Sequence, residues 1–145
     1  MKILVLNGPN LNLLGERDAS TYGTDTLESI ENNLKNSFPD IEFTFIQSNH
    51  EGELIDAIQK ARKGSFDALI ANWGGFTHSS VAIHDALELL TIPKVEVHIS
   101  NIHAREEFRE RSVTGRAMNG VITGFGINSY SLGVVAAKEL KLINK

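Results

Sequence analysis

The sequence contains no cysteine, so disulfide bonds, thiolate nucleophiles and metal sites built on cysteine are all excluded. It also has no apolar run near the roughly 18 residues that a membrane-spanning helix requires. The stretch at residues 1–6 is too short for the core of a signal peptide and is followed directly by polar residues. A net charge of -4 at pH 7 offers no electrostatic reason to expect nucleic acid or an anionic membrane as a partner. These absences favour a soluble cytoplasmic protein.

The chain does contain enough apolar residues to build one substantial core. Apolar residues make up 41% of the 145 positions and charged residues 22%, both ordinary values for a globular protein. The length is that of one domain, and no repeat, linker or low-complexity segment divides it. We therefore predict a single domain over residues 1–145.

Strand-like and helix-like segments alternate five times along the chain. Apolar, β-rich runs predict strands, and apolar residues at helical spacing predict helices. The predicted strands are residues 2–6, 41–46, 68–71, 94–99 and 120–123. The predicted helices are residues 27–38, 51–63, 81–90, 104–111 and 130–142, with Thr26 and either Ser79 or Ser80 as caps. In the last helix, Leu132, Val135 and Leu140 are expected to face inward.

This alternation predicts an α/β fold in which a parallel sheet carries helices on both faces. Five strands in a chain of this length fit the flavodoxin-like, doubly wound arrangement with strand order 2-1-3-4-5. Such sheets bind ligands outside the carboxyl ends of their strands. Polar clusters follow four of the predicted strands, at residues 7–12, 47–50, 72–78 and 98–101. We expect these clusters to converge on one edge of the sheet.

The long connection at residues 7–23 carries Arg17 and Tyr22. A free phenol gives up its proton only near pH 10, but an adjacent guanidinium stabilises the phenolate. The pair could thus form a general base that needs no cofactor. The alternative is an extended surface loop that happens to carry an unrelated arginine and tyrosine.

His98 lies near the carboxyl end of the fourth predicted strand, two residues after Glu96. Residues two apart on a strand point to the same face, so Glu96 can contact the imidazole and hold one tautomer. A histidine in this position can act as a general acid. The alternative is a core histidine that is merely hydrogen-bonded.

Other polar residues near the same edge have less specific patterns. Asn72 and His78 could close a ligand pocket, although a histidine after a glycine-rich loop is more often a cap or packing residue. Asp85 could face solvent or pair with an arginine across a subunit contact. The cluster of charges at residues 105–111 is typical of a solvated face, unless one arginine binds a substrate carboxylate. No metal-ligand spacing is recognisable, and Gly74-Gly75 lacks the spacing of a nucleotide-binding motif.

Taken together, the motifs resemble those of the type II 3-dehydroquinate dehydratases over nearly the whole chain and in the same order. They are the segments at residues 7–15, 47–52, 77–78, 96–101 and 104–109, together with Arg17, Tyr22 and Gly23. The resemblance implies a flavodoxin-like fold and dehydration of 3-dehydroquinate to 3-dehydroshikimate in the shikimate pathway. It also implies that no metal or organic cofactor is needed and that the protein assembles as a dodecamer of trimers.

The resemblance also implies a role for each matching residue. Tyr22 would be the general base, Arg17 its activator, and His98 the general acid. Asn10 would help to hold a water or oxyanion near the developing enolate. The residues implied to bind substrate are Asn72, His78, Ile99, Ser100 and Arg109, with Asp85 reaching the site of a neighbouring subunit.

The sequence departs from the common family pattern in two loops. Ala19 stands where a proline is usual, which predicts a more mobile first loop. Residues 73–76 read Trp-Gly-Gly-Phe where the family commonly has Pro-Gly-Ala-Tyr. We expect Trp73 to lie at the rim of the site. Because neither change removes a catalytic position, they bear on substrate affinity and loop order rather than on the reaction.

The residues alone leave two other functions open. A flavodoxin-like module could bind a small ligand at this edge without chemistry, in which case Arg17, Tyr22 and His98 need not converge on one pocket. Another hydro-lyase or isomerase acting on a related cyclic acid would keep the Tyr–Arg pair but change the residues that contact the ring hydroxyls.

Overall fold

Five parallel strands form one sheet in the computed structural model, which describes residues 1–144. The strands are β1 (Lys2–Asn7), β2 (Glu42–Gln47), β3 (Ala68–Asn72), β4 (Lys94–His98) and β5 (Gly120–Thr123). Their order across the sheet is β2-β1-β3-β4-β5. The register pairs Asn7 with both Gln47 and Asn72, so the polar ends of three strands lie side by side. The predicted fold class and strand order are confirmed.

Helices connect the strands and cover both faces of the sheet. They are α1 (Ala19–Tyr22), α2 (Leu27–Ser37), α3 (Glu51–Ala61), α4 (Val81–Glu88) and α5 (Asn128–Ile143). Thr26 and Ser29 form a reciprocal capping box at the start of α2, and Ser80, rather than Ser79, caps α4. None of the helices within residues 1–144 combines the length and the apolar character needed to cross a membrane.

The helix predicted over residues 104–111 is wrong. Two short 3-10 turns, Ile102–Ala104 and Glu107–Arg109, occupy this region instead. They are separated by Arg105 and Glu106, both of which have extended backbone angles. The Asn101 side chain accepts a hydrogen bond from the N–H of His103 and so caps the first turn. This irregular path turns individual arginines toward the sheet edge instead of aligning them on one helix face.

The sheet separates two apolar layers because successive side chains of a strand point to opposite faces. Ile3, Val5 and Ile70 pack on one side with residues of α2 and α5. Leu4, Leu6 and Leu69 pack on the other side with residues of α3 and α4. Since β1 and β3 are buried on both faces, their sequences are almost continuously apolar, as expected for central parallel strands.

The C-terminal helix presents a different face to the sheet from the one predicted. Leu132 is 42% exposed and Val135 is 48% exposed, and Leu140 is only partly buried. Tyr130, Gly133, Val134 and Ala137 are buried in their place. Gly133 lies so close to the sheet that an added Cβ would come within 2.9 Å of Val97 Cγ1. The buried face of α5 is therefore the one that lets its backbone approach the sheet closely, and not the face that carries Leu132 and Val135.

The loops after β1 and β3 pack directly against each other at the carboxyl edge. A Cβ on Gly8 would lie 2.2 Å from the Trp73 carbonyl oxygen, so only glycine fits there. Gly74 has a φ of +59° and lies beside the Pro9 carbonyl. Trp73 is fully buried in the layer of α3 and α4, so the expectation that it lies at the rim of the site is wrong. Its ring fills the core below these two loops.

Candidate active site

A small cavity of about 140 Å³ opens at the carboxyl edge of the sheet, between the loops that follow β1, β3 and β4. Every predicted site residue except Asp85 lines this cavity. They are Asn10, Arg17, Tyr22, Asn72, His78, His98, Ile99, Ser100 and Arg109. The sheet order brings them together because parallel strands end at a common edge.

Tyr22 and Arg17 are in direct contact. An Arg17 terminal N–H donates a hydrogen bond of 2.8 Å to the Tyr22 hydroxyl oxygen, and the Arg17 Cζ atom lies 3.9 Å from the ring centroid. A hydrogen bond from a charged guanidinium to an oxygen atom is shorter and stronger than one from a neutral donor. The spacing of these two residues therefore produces the arrangement that a phenolate base requires.

The short helix α1 positions Tyr22 at its last residue. Asp18 caps this helix and accepts hydrogen bonds from the Ser20 N–H and from the hydroxyls of Ser20 and Thr21. The bonds from Ser20, and secondarily from Thr21, hold the pKa of Asp18 below its usual value. Asp18 is therefore ionised at neutral pH, and its charge also suits the positive end of the helix.

Arg105 is a cavity residue that the sequence analysis did not assign to the site. Its Cζ atom lies 5.2 Å from the Tyr22 ring centroid, and its guanidinium donates a 3.2 Å hydrogen bond to Ser100 Oγ. Tyr22 thus has two guanidinium neighbours. The prediction of one solvated helix over residues 104–111 concealed this contact, because a helix would have placed Arg105 among the exposed charges.

His98 is paired with a buried carboxylate. Glu96 is fully buried, and its Oε1 lies 2.7 Å from His98 Nε2. Thr114 donates a 2.7 Å hydrogen bond to the other carboxylate oxygen. The two side chains therefore meet as their strand spacing predicts, and the buried carboxylate is satisfied by hydrogen bonds. Because Nε2 is held by Glu96, Nδ1 is the nitrogen available for proton exchange with a ligand.

Hydrogen bonds hold the side chain of Asn72 and the backbone of Asn10 beside the cavity. Asn72 is buried at the end of β3, and its Oδ1 accepts a 3.1 Å hydrogen bond from the Gly74 N–H. Asn10 has a left-handed backbone with a φ of 69°, and its N–H donates to Asn49 Oδ1 at 2.9 Å. Gln47 donates to the Gly8 carbonyl. The polar cluster at residues 47–50 therefore braces the first loop from outside the cavity and does not line it.

Arg109 and His78 complete the polar wall. Arg109 Nε donates to Glu106, and this bond is the main reason that the pKa of Glu106 lies below its usual value. The other N–H groups of the guanidinium are available to an anion. His78 is partly buried, and its Nδ1 lies 2.9 Å from the Arg111 carbonyl oxygen. This contact holds the imidazole to the segment that follows Arg109.

Asp85 lies on the exposed side of α4, beside a different surface depression that includes Arg111 and Arg116. It does not line the cavity of its own chain. His84, Asp85 and Glu88 present ligand atoms within 4.8 Å of one another. His84 already bonds the Val113 carbonyl and Glu88, as in an ordinary surface ion pair.

One cavity therefore combines a phenol that is close to two guanidiniums, an imidazole paired with a carboxylate, and several amide donors. This set can remove a proton, return one and stabilise an anion. The family model described as "Dehydroquinase class II" matches residues 1–138. The chain belongs to the class II dehydroquinase family.

Two relatives are similar to this chain over almost their whole length. A protein of Caldicellulosiruptor bescii named 3-dehydroquinate dehydratase is 51% identical over 141 residues, which cover 96% of this chain and 97% of the relative. A protein of the same name from Fusobacterium nucleatum is 52% identical over 140 residues, with 93% and 95% coverage. The range of the family model, residues 1–138, includes every segment that lines the cavity.

Solved structures support the same family at the level of the fold. The type II dehydroquinase of Butyrivibrio crossotus superimposes with a TM-score of 0.93 at 45% identity, over 95% of this chain and 97% of that one. A 3-dehydroquinate dehydratase-like protein of Bifidobacterium longum is more distant, with a TM-score of 0.71 at 27% identity and 97% coverage of both chains.

Proposed function

We propose that this member of the class II dehydroquinase family converts 3-dehydroquinate to 3-dehydroshikimate and water, as a hydro-lyase of the shikimate pathway. The observation that carries the proposal is the meeting of two pairs, Arg17–Tyr22 and Glu96–His98, at one cavity. Relatives about half identical in sequence bear the name of this activity. A module that only binds a small ligand would have no need for both pairs.

The first step is removal of the proton next to the substrate ketone by the Tyr22 phenolate. Arg17 donates to the phenol oxygen, and Arg105 adds a second positive charge near the ring; both favour the phenolate. The product of this step is an enolate. Asn10, with a bound water, stabilises its charge, and a well-placed donor of this kind contributes about 3–4 kcal/mol.

In the second step the tertiary hydroxyl leaves from the opposite face of the ring, so that the elimination is anti. His98 gives a proton to this hydroxyl, the carbon–oxygen bond breaks, and water departs as the enolate electrons form the conjugated double bond. Glu96 holds the imidazole in place through its contact with Nε2. Because base and acid must be in opposite protonation states, the activity has a bell-shaped dependence on pH.

The remaining wall of the cavity binds the substrate. Arg109 takes the carboxylate, for which a planar guanidinium is well suited. Asn72, His78, Ile99 and Ser100 contact the ring and its hydroxyl groups. Residues 1–145 act as one catalytic domain, without a metal or organic cofactor. The protein works in the cytoplasm as a dodecamer built from trimers, in which Asp85 reaches the site of a neighbouring subunit.

The test is the ultraviolet absorbance of the conjugated enone after addition of 3-dehydroquinate. We would record it with and without a metal chelator and borohydride, using Tyr22→Phe as the inactive control. A rise in both conditions, absent from the control, supports a dehydratase that needs neither a metal nor a Schiff base. A flat signal in both conditions contradicts the proposed activity. A rise that the chelator or borohydride abolishes contradicts the cofactor-free mechanism.

A further inference from the structure

A fully buried tyrosine on α5 is bonded to the end of two strands at the cavity. The Tyr130 hydroxyl donates a 2.6 Å hydrogen bond to Asn7 Oδ1 and accepts a 3.1 Å bond from Asn72 Nδ2. Tyr130, Asn7 and Asn72 are each at most 4% exposed. Asn72 lines the cavity, whereas Tyr130 and Asn7 lie behind it. A residue of the last helix therefore contacts the site only through Asn72.

The donor and the acceptor can be assigned in both hydrogen bonds of Tyr130. The Asn7 side-chain oxygen can only accept, so the Tyr130 hydroxyl must donate to it and accept from the Asn72 amide. Burial raises the pKa of Tyr130 well above its usual value, and the hydroxyl therefore keeps the proton that it donates. Asn72 Oδ1 accepts from the Gly74 N–H at the same time. If the Asn72 amide were flipped, its NH₂ group would face the Gly74 N–H and its oxygen would face the Tyr130 hydroxyl oxygen. Both hydrogen bonds would then be lost, so both contacts favour the observed orientation.

The fixed amide has one donor left. Oδ1 is occupied by Gly74, and one N–H of the Asn72 amide is occupied by Tyr130. The second N–H is the remaining donor of a side chain that lines the cavity. The same bond to Gly74 anchors a residue in the left-handed region, with a φ of +59°, and the Gly74-Gly75 turn is also part of the cavity wall.

We propose that Tyr130 is a positioning residue for the substrate: its hydroxyl holds the Asn72 amide so that the free N–H meets a hydroxyl or carboxylate oxygen of the bound molecule. This inference rests on the proposed function, because its readout is turnover of 3-dehydroquinate. Tyr130 touches neither the substrate nor the reacting atoms. Its effect belongs to substrate binding and not to the proton transfers of Tyr22 and His98.

The test compares Tyr130→Phe with Ser129→Ala. Phenylalanine keeps the buried ring and removes only the hydroxyl. Ser129 is the neighbouring buried residue of α5, and its hydroxyl accepts a 3.2 Å bond from the Phe125 N–H, away from the cavity. We expect Tyr130→Phe to raise KM roughly 5- to 10-fold, because the loss of one hydrogen bond to the substrate typically weakens binding by that factor. We expect kcat to stay within about 2-fold of the wild-type value. Ser129→Ala leaves both parameters unchanged.

A purely structural role would give a different result. It would lower the fraction of folded enzyme, and kcat of Tyr130→Phe would then fall with KM unchanged. That outcome, or wild-type parameters in Tyr130→Phe, overturns the inference. The wild-type enzyme is measured first, so an inactive wild type counts against the proposed function and is distinguished from a failure of this inference.

Two further variants test the route through Asn72. When Asn72 is already alanine, adding Tyr130→Phe changes KM by less than about 2-fold if Tyr130 acts through that amide. An additive rise contradicts the route. Should Tyr130→Phe not fold, Asn7→Ala replaces it: the hydroxyl remains but loses the acceptor that sets its direction. We then expect a smaller rise in KM, and an unchanged KM contradicts the inference.

Discussion

At the scale of single residues, the proposed chemistry depends on one oxygen atom, the phenol oxygen of Tyr22. It lies 2.8 Å from an Arg17 donor, and a second guanidinium, that of Arg105, faces the same ring. The surroundings of this hydroxyl differ from those of the other tyrosine hydroxyl in the chain. Tyr130 is fully buried, and burial keeps its hydroxyl protonated. The two phenols are therefore proposed to have different roles because their environments differ.

We expect Tyr22→Phe to lower kcat by about 100-fold or more, since a positioned general base typically contributes at least that factor. KM should change only a few fold, because the aromatic ring stays in place. Arg17→Ala should have a similar effect by removing the donor that favours the phenolate. Steady-state kinetics on 3-dehydroquinate measures both.

A suitable control for these variants is Thr24→Val, which removes an exposed hydroxyl directly after the loop at residues 7–23 without changing the lining of the cavity. Its kcat should match the wild type. If Tyr22→Phe or Arg17→Ala kept the wild-type kcat, the assignment of the base would be wrong.

At the scale of secondary-structure elements, one carboxylate joins three of them. Asp67 precedes β3, accepts a 2.7 Å bond from the Lys2 N–H at the start of β1, and pairs with Lys141 of α5 at 2.8 Å. The bond from Lys141, followed by that from Lys2, holds the pKa of Asp67 below its ordinary value of 3.8. The ionised form is therefore the one that stabilises the fold.

The stabilisation by Asp67 should depend on pH in a definite direction. Because its pKa is lower in the folded state, the contribution is present above the ordinary carboxyl pKa of 3.8 and disappears as pH falls through the lower folded value. We expect Asp67→Asn to lower the free energy of unfolding by roughly 0.5–1 kcal/mol at pH 7, a value typical of a partly exposed pair. Urea unfolding at pH 7 and in acid measures it.

Asp40→Asn is the matched control, because it makes the same charge change in the exposed turn after α2. It should leave the free energy of unfolding nearly unchanged at both pH values. An equal loss for Asp67→Asn at pH 7 and well below pH 3.8 would show that the effect is packing and not charge.

At the scale of the whole molecule, Asp85 and an exposed apolar surface near α5 are the features that bear on assembly with other copies of the chain. Asp85 is exposed and lies away from the cavity of its own chain. Leu132 and Val135 of α5 are about half exposed, and Phe125 is 61% exposed beside them. A surface of this kind is consistent with the proposed assembly, in which neighbouring chains would complete one another's sites.

Mixed assemblies of two impaired variants test whether a neighbour supplies Asp85. Tyr22→Phe and Asp85→Ala are each expected to be poorly active alone. Co-expressed, they should regain about a quarter of wild-type activity, because that share of sites combines an intact Tyr22 with a neighbour's intact Asp85. If Asp85 acted within its own chain, no mixed site would be complete and no activity would return.

Much of the fold and site could be predicted because local patterns and general topology agree. Continuous apolar runs indicated strands that are buried on both faces, and the helical spacing between them required parallel crossovers. Once the strands are parallel, polar residues at their ends must share an edge. Arg17 with Tyr22 and Glu96 with His98 are close in sequence, so their contacts could be anticipated from loop and strand geometry.

The amino-acid sequence by itself determined the alternation of strands and helices, the edge that carries the site and the pairs Arg17–Tyr22 and Glu96–His98, because these follow from periodicity and from neighbours along the chain. The strand order followed from the fit to the flavodoxin-like arrangement, and the places of Asn10, Ile99, Ser100 and Arg109 followed from the family resemblance. Only the tertiary structure decided the buried position of Trp73, the face of α5, the contact of Arg105 with Tyr22 and the bonds of Tyr130 to Asn7 and Asn72. These depend on how closely two distant backbones approach. Packing of whole elements, and not any local pattern, sets that distance.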